Sequence, residues 1–139
     1  MRRWVSAGVA VGIAVVFGLA ALLEPAIDGH GTHTQLGLGN CSFLAATEVP
    51  CPMCGATTSF ALMAHLRPLE AFLNQPFAAT LFLLTAGVLG VAVSEALDPR
   101  ERWSRLARWL GPHEGFLALA FLAAMGAGWL YKIWLMSAF

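Results

Sequence analysis

"WVSAGVAVGIAVVFGLAALL", residues 4–23, contains no charged residue and no proline. At about 1.5 Å of rise per residue, a helix of this length covers a hydrocarbon core of about 30 Å. Whether it is kept or cleaved decides the fold, because the rest of the chain contains two further runs of the same kind. "MRR" ahead of an apolar run fits a secretory signal. The run, however, exceeds the roughly 7–15 residues of a signal's apolar region, and no A-x-A site precedes "EPAIDGH". The expectation is a retained anchor.

The other runs are "PFAATLFLLTAGVLGVAVSEAL" at 76–97, with Glu95 near its end, and "FLALAFLAAMGAGWLYKIWLM" at 116–136, with Lys132 near its end. Composition agrees. Only 12% of the 139 residues are charged against roughly 25% in soluble domains, 58% are hydrophobic, and mean hydropathy is +0.70. The predicted class is an all-α integral membrane protein, one membrane domain over 1–139, with three transmembrane helices at about 4–23, 76–97 and 116–136. Net charge is zero, so nucleic acid is not an expected partner; the lipid bilayer is.

Arginine asymmetry orients the spans. Arg2, Arg3, Arg100, Arg102, Arg105 and Arg108 fall on one side of a three-span chain. Arg67 and Lys132 fall on the other, with Glu24, Asp28, Glu48 and Glu70. This predicts a bacterial inner-membrane protein with its N-terminus in the cytoplasm, residues 24–75 as an extracytoplasmic loop, 98–115 as a basic cytoplasmic loop, and an extracytoplasmic C-terminus. Within 98–115, Trp103, Leu106 and Leu110 can lie in the interface while the arginines face anionic headgroups. Lys132 and Glu95 are expected to snorkel to opposite interfaces. Gly8 with Gly12, and Ala124 with Gly128, are small pairs suited to close helix packing.

The outer loop of about 50 residues is long enough to be structured or functional. "EPAIDGHGTHTQLGLGN" reads as irregular. "GATTSFALMAHL" reads as a helix with Phe60, Met63 and Leu66 on one face and His65 and Arg67 at its polar edge. Pro68 ends it and can open "PLEAFLNQ", and Pro76 opens the next span. One or two short helices, interfacial or re-entrant, are therefore expected over about 55–74. Thr57 and Thr58 are expected to satisfy free backbone N–H groups in the first turn.

All three cysteines, Cys41, Cys51 and Cys54, lie in this loop, and an oxidising compartment admits three uses of them. With His30 and His33 they offer a thiolate–imidazole set for zinc, and Met53 adds a thioether suited to copper. Cys51 and Cys54, ahead of a helix, also form a candidate redox pair, with Cys41 as an exchanging partner. The third use is a structural disulfide from Cys41 to Cys51 or Cys54, stabilising by about 3 kcal/mol in the chain-entropy model. No histidine follows Cys54, so haem attachment is not expected. No hydrolase triad, paired carboxylate or phosphate loop is present.

The stretch "GTHTQLGLGNCSFLAATEVPCPMCGATTSFAL" resembles a family of small bacterial membrane proteins, domain-of-unknown-function family 2752. Its hallmark is a Cys, about ten residues, then Cys-Pro-x-Cys-Gly-x-Thr and a polar-plus-Pro step into a membrane helix. The hallmark falls on Cys41, Cys51, Pro52, Cys54, Gly55 and Thr57, and the step falls on Asn74 to Pro76. Many members carry Thr-Arg where this chain has Thr57-Thr58. The resemblance implies that the cysteines form one unit and implies no activity. The functional expectation is a non-enzymatic accessory or assembly subunit of a membrane complex, docked with other membrane-protein subunits, whose loop holds a disulfide or a zinc or copper ion. The alternative is a membrane thiol–disulfide oxidoreductase using Cys51 and Cys54.

Overall fold

A computed structural model describes the backbone of residues 2–137 and the side chains of 3–137. Its described residues form helices and connecting turns without strands: α1 (Arg2–Leu22), a 3₁₀ turn (Thr32–Leu36), α2 (Ser42–Thr47), α3 (Ala56–Ala64), α4 (Pro68–Asn74), α5 (Pro76–Leu97), α6 (Arg102–Leu110) and α7 (Glu114–Ser137). Three helical stretches are long and apolar enough to cross a membrane, and they contain α1, α5 and α7. The chain is an integral membrane protein in contact with the lipid bilayer. The three expected spans agree with these helices to within about two residues, the ordinary scatter of helix ends.

Aromatic contacts join the spans. Phe17 of α1 stacks on Phe82 of α5 at 4.3 Å, and Phe60 of α3 meets the same ring edge-on at 5.3 Å. Phe77 of α5 meets Phe121 of α7 at 5.2 Å. Leu62, Met63, Ala71 and Ala79 form a small core beside Phe82, so α3 and α4 pack onto α5 rather than hanging free of it. Of the two small pairs, Gly128 is used: a Cβ there would stand 2.8 Å from Phe77 Cβ and 3.0 Å from Gln75 Oε1. Gly8 and Gly12 have nothing within 4 Å.

Several local expectations need correction. α3 stops at Ala64, and Leu66 takes a left-handed φ of 58°. Arg67 N–H then bonds back to Leu62 C=O at 2.9 Å, which satisfies an orphan carbonyl at the helix end. Leu66 is 87% exposed and leaves the face it was assigned with Phe60 and Met63. His65 turns toward α1, its Nε2 lying 3.2 Å from Leu23 O. The loop before Cys51 is more ordered than its composition suggested, with the 3₁₀ turn and α2 inside it.

Glu95 does not snorkel; it is 1% exposed. Its carboxylate accepts the backbone N–H groups of Arg100, Glu101 and Arg102 at 3.3, 3.0 and 3.0 Å, capping the start of α6. These donors have no partner inside the helix and need an acceptor. Arg102 likewise folds back, donating to Ser94 O at 2.9 Å and pairing with Glu95 at 3.5 Å, instead of pointing at headgroups. Trp103 Nε1 donates to Ser6 Oγ at 3.0 Å, which fixes the start of α1 beside α6. One end of the bundle therefore carries α6 and its arginines, and the other carries the cysteine loop.

Candidate functional site

Cys41 sits at the residue before α2, Cys51 opens a turn closed by Cys54 N–H on Cys51 C=O at 2.9 Å, and Gly55 leads into α3. The path folds Cys41 back onto that turn. All three cysteines line a half-open cleft of about 740 Å³, together with Asp28, His30, His33, Met53 and Thr57. They are free thiols, Cys41 and Cys51 half-buried and Cys54 buried. The thiols of Cys41 and Cys51 lie near enough to act on each other's ionisation.

The three sulfurs are electrostatically unequal. The Leu44 backbone N–H holds the Cys41 thiol below its ordinary pKa, with the Cys51 thiol and the Phe43 N–H adding to the effect against some desolvation. Burial pushes Cys51 up, and the neighbouring Cys41 adds to that. Burial also pushes Cys54 up, as does the charge of Cys51, while Lys132 pulls the other way. Cys41 is therefore the sulfur that most readily carries negative charge.

The histidines line the same cleft without completing a ligand set. His30 Nδ1 lies 2.9 Å from Asp28 O, and among the described residues no three His, Cys, Asp or Glu side chains converge as a metal-binding group. The five residues expected to hold zinc or copper thus share a cavity, in which the cysteines act on one another's ionisation.

Behind the cysteine turn lies a polar cradle that the sequence reading missed. Lys132 is 1% exposed and is enclosed by protein instead of reaching out from its helix. Its Nζ donates to Asn74 Oδ1 at 2.7 Å, Gly29 O at 3.0 Å and Asn74 O at 3.4 Å. Asn74 Nδ2 in turn donates to Gly55 O at 3.0 Å and Ser59 Oγ at 2.9 Å, and Ser59 Oγ donates to Ala71 O at 3.1 Å. An ammonium removed from water needs such partners, and here the three oxygens come from two residues, Gly29 and Asn74, far apart in the chain. Gly55 has a φ of 85°, and a Cβ there would lie 2.6 Å from Gly29 O and 3.1 Å from Lys132 Nζ. Glycine is required at that position by conformation and by space alike.

Further ties from α7 hold the loop. Trp129 Nε1 donates to Pro50 O at 2.7 Å, one residue before Cys51, and Tyr131 Oη donates to Leu73 O at 2.6 Å. Gln75 Nε2 donates to Pro52 O at 3.4 Å. Thr58 pairs with Thr32 Oγ1 at 2.7 Å across 26 residues, and Thr32 Oγ1 also accepts Ala26 N–H at 3.0 Å. Thr58 therefore ties the upstream loop down instead of serving its own helix's N–H groups, because its hydroxyl meets a buried partner there. One signal for the cradle was present in the sequence: a lone lysine inside an apolar helix marks a candidate site by default.

Fold and site together define a helical membrane protein of three spans with a tri-cysteine cleft at one end. Residues 41–89, from Cys41 into α5, match the model of the family described as "Protein of unknown function (DUF2752)". The resemblance drawn from the cysteine motif is therefore found by an independent comparison over those residues. No curated protein and no solved structure matches the chain.

Proposed function

We propose that the protein is a membrane-anchored thiol–disulfide exchange module, with Cys41 as the attacking thiolate and Cys51 as the resolving thiol. One observation carries the reading: three free thiols line one half-open cleft, and those of Cys41 and Cys51 act on each other's ionisation. In the exchange, Cys41 Sγ attacks one sulfur of a partner protein's disulfide. A Cys41–partner bond forms, and the partner's other sulfur leaves with the electron pair. Cys51 then attacks Cys41 Sγ, giving a Cys41–Cys51 disulfide and a reduced partner dithiol. A second, dithiol-bearing partner returns the two electrons by the reverse sequence.

The cleft belongs outside the cytoplasm in this reading, in a bacterial inner membrane with the N-terminus inside. The arginines gathered at the α6 end, opposite the cysteines, support that orientation. Cys51→Ser should arrest the reaction at a mixed disulfide through Cys41, visible as a reducible adduct after acid quenching of whole cells. Recovery of no adduct from Cys51→Ser cells, with the protein present at normal level, rejects the exchange reading. Zinc or copper capture is the competing use of the same sulfurs. Metal bound in stoichiometric amount to purified protein, and lost in Cys→Ser variants, selects that reading instead.

A second reading, an accessory subunit of a larger membrane assembly, is favoured by the exposed Gly8 and Gly12, which no helix of this chain covers. Gly8→Leu with Gly12→Leu should release the chain from such an assembly in native gels. Migration unchanged by the double substitution removes this reading.

A further inference from the structure

Lys132 is the buried cation of the structure's cysteine end, and its three acceptors are a side-chain amide oxygen and two backbone carbonyls. None of these is an anion. Neutral dipoles orient an ammonium but do not neutralise it, so its charge acts on whatever ionisable group lies nearby. That group is Cys54, buried at 6% exposure and one residue before Gly55, whose missing Cβ makes room for Lys132 Nζ. Cys41 and Cys51 also face Cys54, from the cleft side, and both raise the cost of a charge there.

We propose that Lys132 is the fixed counter-cation of Cys54, a positioning residue that makes Cys54 the sulfur released when a Cys51–Cys54 disulfide is opened by Cys41. The step rests on the thiol-exchange reading. Cys41 thiolate attacks Cys51 Sγ; the Cys41–Cys51 bond forms, the Cys51–Cys54 bond breaks, and the electron pair stays on Cys54. No electrons are gained or lost overall. Negative charge moves from Cys41, where backbone N–H groups hold it, to Cys54, where the ammonium offsets part of the cost of burial. Burial makes Cys54 a poor leaving group, the cation offsets part of that penalty, and exchange slows further as the leaving thiol becomes more basic.

The test follows the two disulfides in purified full-length protein in nanodiscs. The Cys51–Cys54 form is generated with oxidant, and its conversion to the Cys41–Cys51 form is followed by alkylation and mass spectrometry. Lys132→Gln keeps a hydrogen-bond donor and loses the charge, so conversion should slow by about tenfold or more. Lys132→Arg keeps the charge and should stay much closer to wild type. Equal rates for Lys132→Gln and wild type overturn the proposal. So does equal slowing of both variants, which assigns Lys132 a purely structural role. One readout needs no variant: an anionic methanethiosulfonate should modify Cys54 faster than its cationic analogue, by a larger ratio than at Cys41, and a ratio no larger than that at Cys41 also overturns it. The two ideas fail separately. A charge-dependent conversion with no partner trapped in cells removes the exchange function alone, and a trapped partner with charge-independent conversion removes the Lys132 role alone.

Discussion

Single residues at the cysteine end are constrained by their neighbours more than by their own chemistry. Gly55→Ala should destabilise the protein by more than the roughly 1–2 kcal/mol of a left-handed alanine, because its Cβ would also meet Gly29 O at 2.6 Å. A thermal melt in detergent, with wild type alongside, measures this; an unchanged midpoint contradicts the cradle. Thr58→Val removes the buried hydroxyl pair with Thr32 and should cost about 1–3 kcal/mol. Reactivity follows the same neighbours. A thiol with a lowered pKa keeps more thiolate at low pH, so Cys41 should be alkylated at a lower pH than Cys54, whose pKa is raised. Residue-resolved labelling with iodoacetamide between about pH 6 and 9 would show Cys41 first. The family resemblance implied that the three cysteines form one unit, and the structure brings all three to one cleft. The sequence hid their ranking, which depends on the N–H of Leu44 and on a lysine 78 positions beyond Cys54.

Among the elements, the spans were legible because a run of about 20 apolar residues carries its own evidence. The short helices were harder. α2 and the 3₁₀ turn are brief and weakly patterned, and α3 ends at Ala64 through backbone bonds that composition does not announce. α6 was legible as a basic amphipathic segment, but its attachment to α5 was not, since a glutamate near a span's end reads equally as a surface charge. Glu95→Ala should free three backbone N–H groups and weaken α6 by about 0.5–2 kcal/mol, the range of a lost helix cap. Faster trypsin cleavage at Arg102 or Arg105 in the variant checks this. At α4, Arg67 bonds Glu70 at 2.7 and 2.5 Å, and the arginine holds the carboxyl below the usual range. The pair's contribution is full above the ordinary glutamate pKa and is lost as pH falls through the depressed value. Its exposure keeps that contribution small.

Across the whole molecule, the first half of the chain supplies the sulfurs and the last helix holds them in place. Gly128→Leu should push α7 off Phe77 and Gln75, loosening Trp129 from Pro50 and raising Cys54 alkylation along with a shift in tryptophan emission. The bond between Lys132 and Gly29 spans 103 positions, a separation at which no sequence pattern could have shown it. It also sets a birth order. Chains emerge at about 5–20 residues per second, so in the orientation proposed above the cysteines reach the far side of the membrane several seconds before α7 exists to dock on them. For that interval the thiols would face the proposed oxidising compartment unguarded. Any disulfide that a newborn molecule then formed would be decided by a race between oxidant and the last helix, and a slower-translated C-terminus would tilt the outcome without changing a single amino acid.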